Sequence, residues 1–262
     1  MTEVWIDGAF TAAGRAAVPS LTGREEGLFE TILVRGGVPV LLAEHLERLI
    51  AAAGATPGLV PPDREALAPA CRELPRRARV TLGRLRVLLV PDRVAVTCEP
   101  FEGYPRALYR QGATALLAPA SGHPLGDRAG RKVLPYTPLL EARECAQRQG
   151  AIEVLFHAAD GALLEGSASH LFVVRDGVIA TPPLARGILP GVVRGAVLAL
   201  ARRLDFAAVE RDVRIGELAG AEEAFLSGSL MEVLPLNRVG QVEVPRGPIG
   251  PCLRVALRAE FG

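Results

Sequence analysis

Two Asp-Gly pairs, Asp160-Gly161 and Asp176-Gly177, each sit between apolar runs in the second half of the chain. The tightest hairpin turns need positive φ at their central residues, which Asp and Gly tolerate, so each pair predicts two antiparallel strands. That constraint commits the second half to a sheet built from hairpins, with Ile152–Ile179 reading as an antiparallel meander. The first half repeats the pattern. Gly27–Val34 is rich in strand formers, Gly36-Gly37 breaks it, and Val38–Leu42 resumes. Leu85–Val90 and Val94–Cys98 meet at Pro91-Asp92, and Val4–Gly8 is a further strand running into a turn.

Helical periods separate these strands. Ala43–Ala53 carries apolar residues at 46, 49 and 50, with Gly54 as the expected C-cap. Asp63–Leu74 opens on an Asp after two prolines, Pro138–Gln149 is stopped by Gly150, and Gly191–Leu204 follows Pro190. Glu99–Gly112 reads as a linker and Pro119–Gly130 as a loop. Glu223–Leu226 and Val233–Leu236 flank a small-residue turn, Ser227–Ser229. The class is α/β with α+β character. A chain of 262 residues, 49% of them hydrophobic, suits one large domain or two modest ones.

Several partners find no support in the composition. A formal net charge of +1 offers no bulk attraction to nucleic acid or anionic membranes. No apolar run approaches the ~18 residues of a membrane span. The opening MTEVWIDGAF lacks the basic and apolar regions of a signal peptide, so the expected location is cytoplasmic. Cys71, Cys98, Cys145 and Cys252 form no C-x-x-C pair, and with four dispersed histidines no metal site is expected.

One basic residue stands apart. The chain has 30 Lys plus Arg, and Lys132 is the only lysine. An amine can lose its proton, attack a carbonyl and form a Schiff base; a guanidinium stays protonated. Lys132 is therefore a candidate nucleophile, or a chance survivor on a solvated surface. Four local features bear on the choice. Glu165 ends an apolar run in LLEGSASHLFVV, where a carboxylate must be paired or solvated. Arg186–Leu200 passes through Pro190-Gly191 into an apolar helix, whose open N–H groups suit a phosphate or mark an ordinary helix start. Ser227–Glu232 offers two hydroxyls and a glycine. His45 and Arg48 lie three apart on one helix face, with Arg48 able to reach an anion. An amine, two anion cradles, an arginine and a carboxylate are what a pyridoxal phosphate site needs. No P-loop or dinucleotide-binding glycine motif is present.

The blocks GLFETILVRGGVPVLLAEHLERL, RKVLPYTPLLEAREC, VLFHAADGALLEGSASHLFVV, GVIATPPLARGILPGVVR and EEAFLSGSLMEVLPL resemble, in order, the signature blocks of class IV, fold-type IV pyridoxal phosphate enzymes. That family includes branched-chain aminotransferases, D-amino-acid transaminases and aminodeoxychorismate lyases. The resemblance implies a smaller N-terminal α/β domain (1–106) and a larger C-terminal domain (107–262) with a mainly antiparallel pseudo-barrel sheet. It also implies a homodimer that takes an amine or amino-acid substrate. Lys132 matches the lysine that holds pyridoxal 5'-phosphate, Glu165 the glutamate that pairs with the pyridine nitrogen, and Arg48 the phosphate arginine. Val192 and Val193 match the backbone N–H groups at the phosphate, and Leu189 the residue beneath the ring. Ser229 matches a phosphate-binding hydroxyl, and Tyr136 a tyrosine near the phenolic oxygen.

Three positions depart from the family pattern. His170 stands where relatives usually have asparagine in S-x-x-N-x-F, and Leu33 where many have arginine in F-E-x-x-R. The segment Leu88–Val96 is short where transaminases often carry a carboxylate-binding loop. The F-E-T block and compact length point first to aminodeoxychorismate lyase, which eliminates pyruvate to give p-aminobenzoate for folate biosynthesis. A D-amino-acid or branched-chain transaminase is the alternative. More distant readings are a cofactor-free Schiff-base aldolase and a non-catalytic binding protein on the same scaffold.

Overall fold

A computed structural model of the chain describes residues 2–13 and 18–261. They form two compact units, one from the described residues of 1–103 with 131–137 and 261, the other from 104–130 and 138–260. The segment that carries Lys132 and Tyr136, which a single cut near 106 would leave with the second unit, packs within the first.

The first unit is a sheet of seven strands, all its ladders antiparallel. Its strands are β1 (Thr2–Ile6), β2 (Ala9–Ala13), β3 (Gly27–Arg35), β4 (Val38–Pro39), β5 (Leu82–Val90), β6 (Arg93–Pro100) and β8 (Val133–Leu134). The order is β2-β1-β6-β5-β3-β4, with β8 added to β3. β5 and β6 close through a tight hairpin in which Val90 faces Arg93. Two helices cover the sheet, α1 (Leu42–Gly54) on β3 and α2 (Arg64–Arg77) on β6 and β1. Leu42, Leu46, Leu49 and Ala53 give α1 one buried stripe, the reason this stretch is a helix with a preferred face. Asp63 caps α2 by accepting the Glu65 N–H at 2.9 Å.

Three local expectations need correction here. The strand expected over Val38–Leu42 stops at Pro39, because Leu41 takes a left-handed φ of 54° and turns the chain into α1. Gly54 is the last residue of α1 and not its cap; the Thr56 hydroxyl donates to the Ala52 carbonyl at 2.7 Å instead. α2 runs past Leu74 through Pro75 to Arg77; Pro75 falls in its last turn, where few helical bonds remain to be disturbed.

The second unit holds a nine-stranded mixed sheet. Its strands are β7 (Ala113–Leu117), β9 (Glu153–His157), β10 (Leu163–Gly166), β11 (His170–Arg175), β12 (Val178–Thr181), β13 (Ala208–Glu210), β14 (Glu223–Gly228), β15 (Glu232–Val239) and β16 (Val242–Glu243). The order is β10-β9-β7-β15-β14-β11-β12-β13, with β16 on β15. Antiparallel ladders predominate, with parallel pairs at β7–β9, β7–β15 and β12–β13. Both Asp-Gly pairs turn hairpins, but the expected meander is broken. β9–β10 and β11–β12 sit at separate places in the sheet, and β11 pairs with β14. Phe172 and Phe225 stack at 5.1 Å across that β11–β14 ladder, deep in the core.

Its helices are α3 (Arg106–Gln111), α4 (Thr137–Arg148), α5 (Val192–Arg203) and α6 (Ile249–Phe261). α3 lies inside the stretch expected to be a linker. α6 is capped by a buried carboxylate, with Glu223 accepting the Ile249 and Gly250 N–H groups at 2.9 and 2.7 Å. Among the described residues, no helix is long and apolar enough to cross a membrane.

Candidate functional site

Lys132 immediately precedes β8, and its carbonyl accepts the Phe29 N–H at 3.0 Å, which ties it to the end of β3. The ammonium lies 4.6 Å from the centre of the Phe29 ring and 5.1 Å from that of Tyr136. Those rings meet edge to face at 4.9 Å, so one aromatic corner holds the amine. The half-buried placement rules out the alternative of a lysine on a fully solvated surface.

Residues alternate sides along a strand, so Phe29, Thr31 and Leu33 share one face of β3. Their cross-strand partners on β5 are Leu88, Arg86 and Arg84. The face that meets the amine therefore also carries two arginines. Arg84 donates to Glu99 at 2.7 Å. The Arg86 Nε is buried with no hydrogen-bond partner among the described residues. Burial, then the neighbouring Arg84 charge, pushes the Arg86 guanidinium down to about 10.

The opposite face of β3 carries Glu30, 1% exposed beneath α1. The periodicity of α1 delivers His45 and Arg48 to the same spot. Arg48 grips the carboxylate with Nε to Oε1 at 2.8 Å and Nη2 to Oε2 at 2.6 Å. His45 Nδ1 lies 2.8 Å from Oε2. Burial alone would raise the Glu30 carboxyl, but Arg48 and His45 outweigh it and hold it at about 2. Burial pushes the His45 imidazole down, with Arg48 and Lys132 adding to the effect and Glu30 opposing it. A neutral His45 thus donates to an ionised Glu30, and the pair fixes the Arg48 fork.

In the second unit, Glu165 ends β10 and is 6% exposed. Its Oε1 accepts the Leu189 N–H at 3.0 Å and faces His123 Nε2 at 3.3 Å. Its Oε2 is 3.7 Å from His170 Nδ1. Leu189 leads through Pro190 and Gly191 into α5, which Val192 and Val193 open, so their N–H groups have no partner within the helix. A Cβ on Gly191 would collide with the His170 imidazole, which is why that N-cap must be glycine. His170 in turn pairs across the sheet with Ser227, at the start of the turn that bears Ser229. The Ser227 Oγ is buried without a hydrogen-bond partner among the described residues.

Buried Glu153 holds the turn after Glu165. It accepts the hydroxyls of Ser167 at 2.5 Å and Ser169 at 2.8 Å, and the N–H of Ser167 at 3.1 Å. Arg186 pins the approach to Leu189, donating to Asp212 at 2.8 Å and to Asp160 at 3.0 Å.

Within the first unit, then, the structure gathers Lys132 and Tyr136 at one end of β3, with Arg48 held on that strand through Glu30. Within the second it joins Glu165 to Leu189, on the approach to Val192 and Val193, and places Ser229 two residues beyond Ser227, the cross-strand partner of His170. Sequence reading missed Glu30, Arg86, His123 and Glu153. A signal existed for Glu30 and Glu153, since each is a lone acid in an apolar strand and needs a partner. None existed for His123, whose role depends on a loop.

The family model described as "Amino-transferase class IV" matches residues 27–239. The branched-chain-amino-acid aminotransferase of Escherichia coli (strain K12) is 30% identical over 87% of this chain and 79% of its own length. The D-alanine aminotransferase of Listeria monocytogenes (serotype 4b, strain F2365) is 25% identical over 86% of this chain and 82% of its own. Among solved structures, a hypothetical aminotransferase from Mycobacterium tuberculosis, in its alpha-ketoglutarate and PMP bound form, superposes with a TM-score of 0.85 at 26% identity. That match covers 99% of this chain and 99% of the other.

The Glu30 network makes a pH-dependent contribution to stability. The folded carboxyl sits at about 2 against an ordinary 4.5, so its stabilisation is present above 4.5 and is lost as pH falls toward 2. The shift corresponds to something on the order of 3 kcal/mol. Urea denaturation from pH 6 down to pH 2 is expected to show a flatter decline for Glu30→Gln than for the wild type. Parallel declines would contradict the assignment.

Proposed function

The chain belongs to the class IV aminotransferase family, and we propose that it moves an amino group between an apolar amino acid and a 2-oxo acid, using pyridoxal 5'-phosphate held on Lys132. The observation that carries this reading is Lys132 itself, the only lysine, set in the aromatic corner of Phe29 and Tyr136; the resemblance matches it to the family's cofactor lysine. The relatives compared are named as aminotransferases, so the reading moves from pyruvate elimination to amino transfer, and branched-chain amino acids come ahead of D-alanine as donors.

The residues present fit the cofactor. A phosphate needs N–H and hydroxyl donors, which the open start of α5 at Val192 and Val193 and the Ser229 hydroxyl would supply in the second unit; Arg48, in the first, is carried over from the family resemblance. The Leu189 side chain would pack beneath the ring, and Tyr136 would meet the phenolic oxygen. Glu165 would hold the proton on the pyridine nitrogen, a charge placed in advance in a buried setting. When bound, pyridoxal phosphate supplies an electron sink. The Lys132 amine would hold the cofactor and, when free of it, would move a proton at the carbon that bears the substrate's amino group. The reading takes the enzyme to be a homodimer, as its family resemblance suggests, and to work in the cytoplasm.

The chain lacks an arginine at Leu33 and has a tight turn in place of a longer loop at Pro91-Asp92. Arg86 answers the need those changes create. It lies on the sheet face that carries Phe29, beside Arg84, the cross-strand neighbour of Leu33; both have a buried Nε without a hydrogen-bond partner among the described residues, but Arg84 is paired with Glu99. We assign it to the substrate carboxylate.

Two measurements test the reading. In a side-by-side assay, amino transfer from L-leucine, L-glutamate and D-alanine to 2-oxo acids is compared with aminodeoxychorismate consumption. Amino transfer is expected to dominate; consumption of aminodeoxychorismate without transfer would overturn it. Arg86→Leu is expected to raise KM for amino-acid donors roughly 10-fold or more, the scale of one charge-assisted hydrogen bond. It should leave KM for the matching carboxyl-free amine nearly unchanged, and equal effects on both would remove Arg86 from carboxylate recognition.

A further inference from the structure

His123 lies in the loop between β7 and Lys132 and is assigned no role by the reading above. Two backbone bonds pin its loop: the Gly122 N–H donates to the His157 carbonyl at 2.7 Å, and the Gly126 N–H to the His123 carbonyl at 2.9 Å. The imidazole packs edge to face on Phe156 at 5.4 Å. It lines an apolar cavity of about 480 Å³ with Pro119, Ala142, Cys145 and Val154. Its Nδ1 accepts the Leu125 N–H at 3.2 Å. An Nδ1 that accepts carries no proton, so the ring proton belongs on Nε2. That nitrogen faces Glu165 Oε1 at 3.3 Å.

We infer that His123 is a positioning residue for the cofactor's pyridine nitrogen, acting through Glu165 as a tautomer-locked neutral donor. The inference rests on the assignment of Glu165 to that nitrogen. Each carboxylate oxygen has its own set of neighbours. Oε1 accepts the Leu189 N–H at 3.0 Å and has His123 Nε2 beside it at 3.3 Å, so both neighbours approach the carboxylate at this one oxygen. Oε2, with His170 Nδ1 at 3.7 Å, is the oxygen that would be left for the pyridine nitrogen. The neutrality of the donor matters. A cation at this position would compete with the pyridinium for the single negative charge of Glu165, whereas a neutral N–H steadies the carboxylate and leaves its charge for the ring. The Leu125 N–H occupies Nδ1 at 3.2 Å, which leaves Nε2 as the ring nitrogen that faces Glu165.

The test uses the full chain, stripped of cofactor and titrated with pyridoxal phosphate, with folding checked by circular dichroism. His123→Phe keeps the packing on Phe156 and removes the donor. His123→Gln places a neutral N–H near the Nε2 position. His123→Phe is expected to weaken cofactor binding about tenfold, the scale of one hydrogen bond to a charged group. It should also shift the visible absorbance of the bound cofactor and lower kcat with little change in KM. His123→Gln should restore most of each. In a Glu165→Gln background, His123→Phe should add almost nothing.

Wild-type binding and spectrum in His123→Phe would overturn the inference. So would equal losses in Phe and Gln variants, or a full His123→Phe effect in the Glu165→Gln background. If Glu165→Gln alone binds and absorbs like the wild type, the Glu165 assignment fails, and the His123 inference falls with it.

Discussion

A carboxylate sealed from water is tolerated only where donors surround it, and among the buried glutamates three organise the segments that carry the candidate residues. Glu30 gathers Arg48 and His45 onto β3 and so fixes the arginine proposed for the phosphate. Glu153 binds the hydroxyls of Ser167 and Ser169, and with them the turn that follows Glu165. Glu165 takes the Leu189 N–H, and thereby joins the end of β10 to the segment that opens α5. The first two are spent within the fold, with both oxygens engaged. Glu165 differs in that its firm hydrogen bond falls on Oε1, and the nearest histidine nitrogen to Oε2 stands off at 3.7 Å. That asymmetry separates a structural carboxylate from one available to a ligand.

The arginine bias of the chain has a physical reading in the same terms. Planar, permanently charged forks serve at Glu30, Glu232, Asp212 and Glu210, where geometry and charge are all that is required. Only the amine in the aromatic corner has to be able to give up its proton. Arg86 stands apart from these forks in having no carboxylate hydrogen-bonded to it among the described residues. Its buried Nε has no hydrogen-bond partner among the described residues, and its place on the Phe29 face ties it to the chemistry.

Much of this was legible in the residues. The Asp-Gly turns, the Gly36-Gly37 break and the stripe of α1 correspond to real elements, because local φ requirements and apolar spacing decide them. The errors arose where pairing is long-range. Nothing near β11 announces that it joins β14 in place of β10, and β7 and β13 are short strands read only through parallel partners far along the chain. α3 hid in a stretch whose Pro, Gly and Tyr content suggests a linker, and α6 went unread, its N-terminus capped by Glu223 from another element. For the site, types and spacings pointed to Lys132, Arg48 and the α5 start. The partners that give these residues their geometry, Glu30 and His123, come from a strand and a loop remote in sequence.

The central claim is that a single amine carries the cofactor. The direct measurement is borohydride reduction of the protein purified with pyridoxal phosphate, followed by proteolysis and mass mapping. The account predicts one stable phosphopyridoxyl adduct, located on the peptide containing Lys132 and absent from Lys132→Arg. Reduction that leaves the Lys132 peptide unmodified, while the wild type still transfers amino groups, would contradict it.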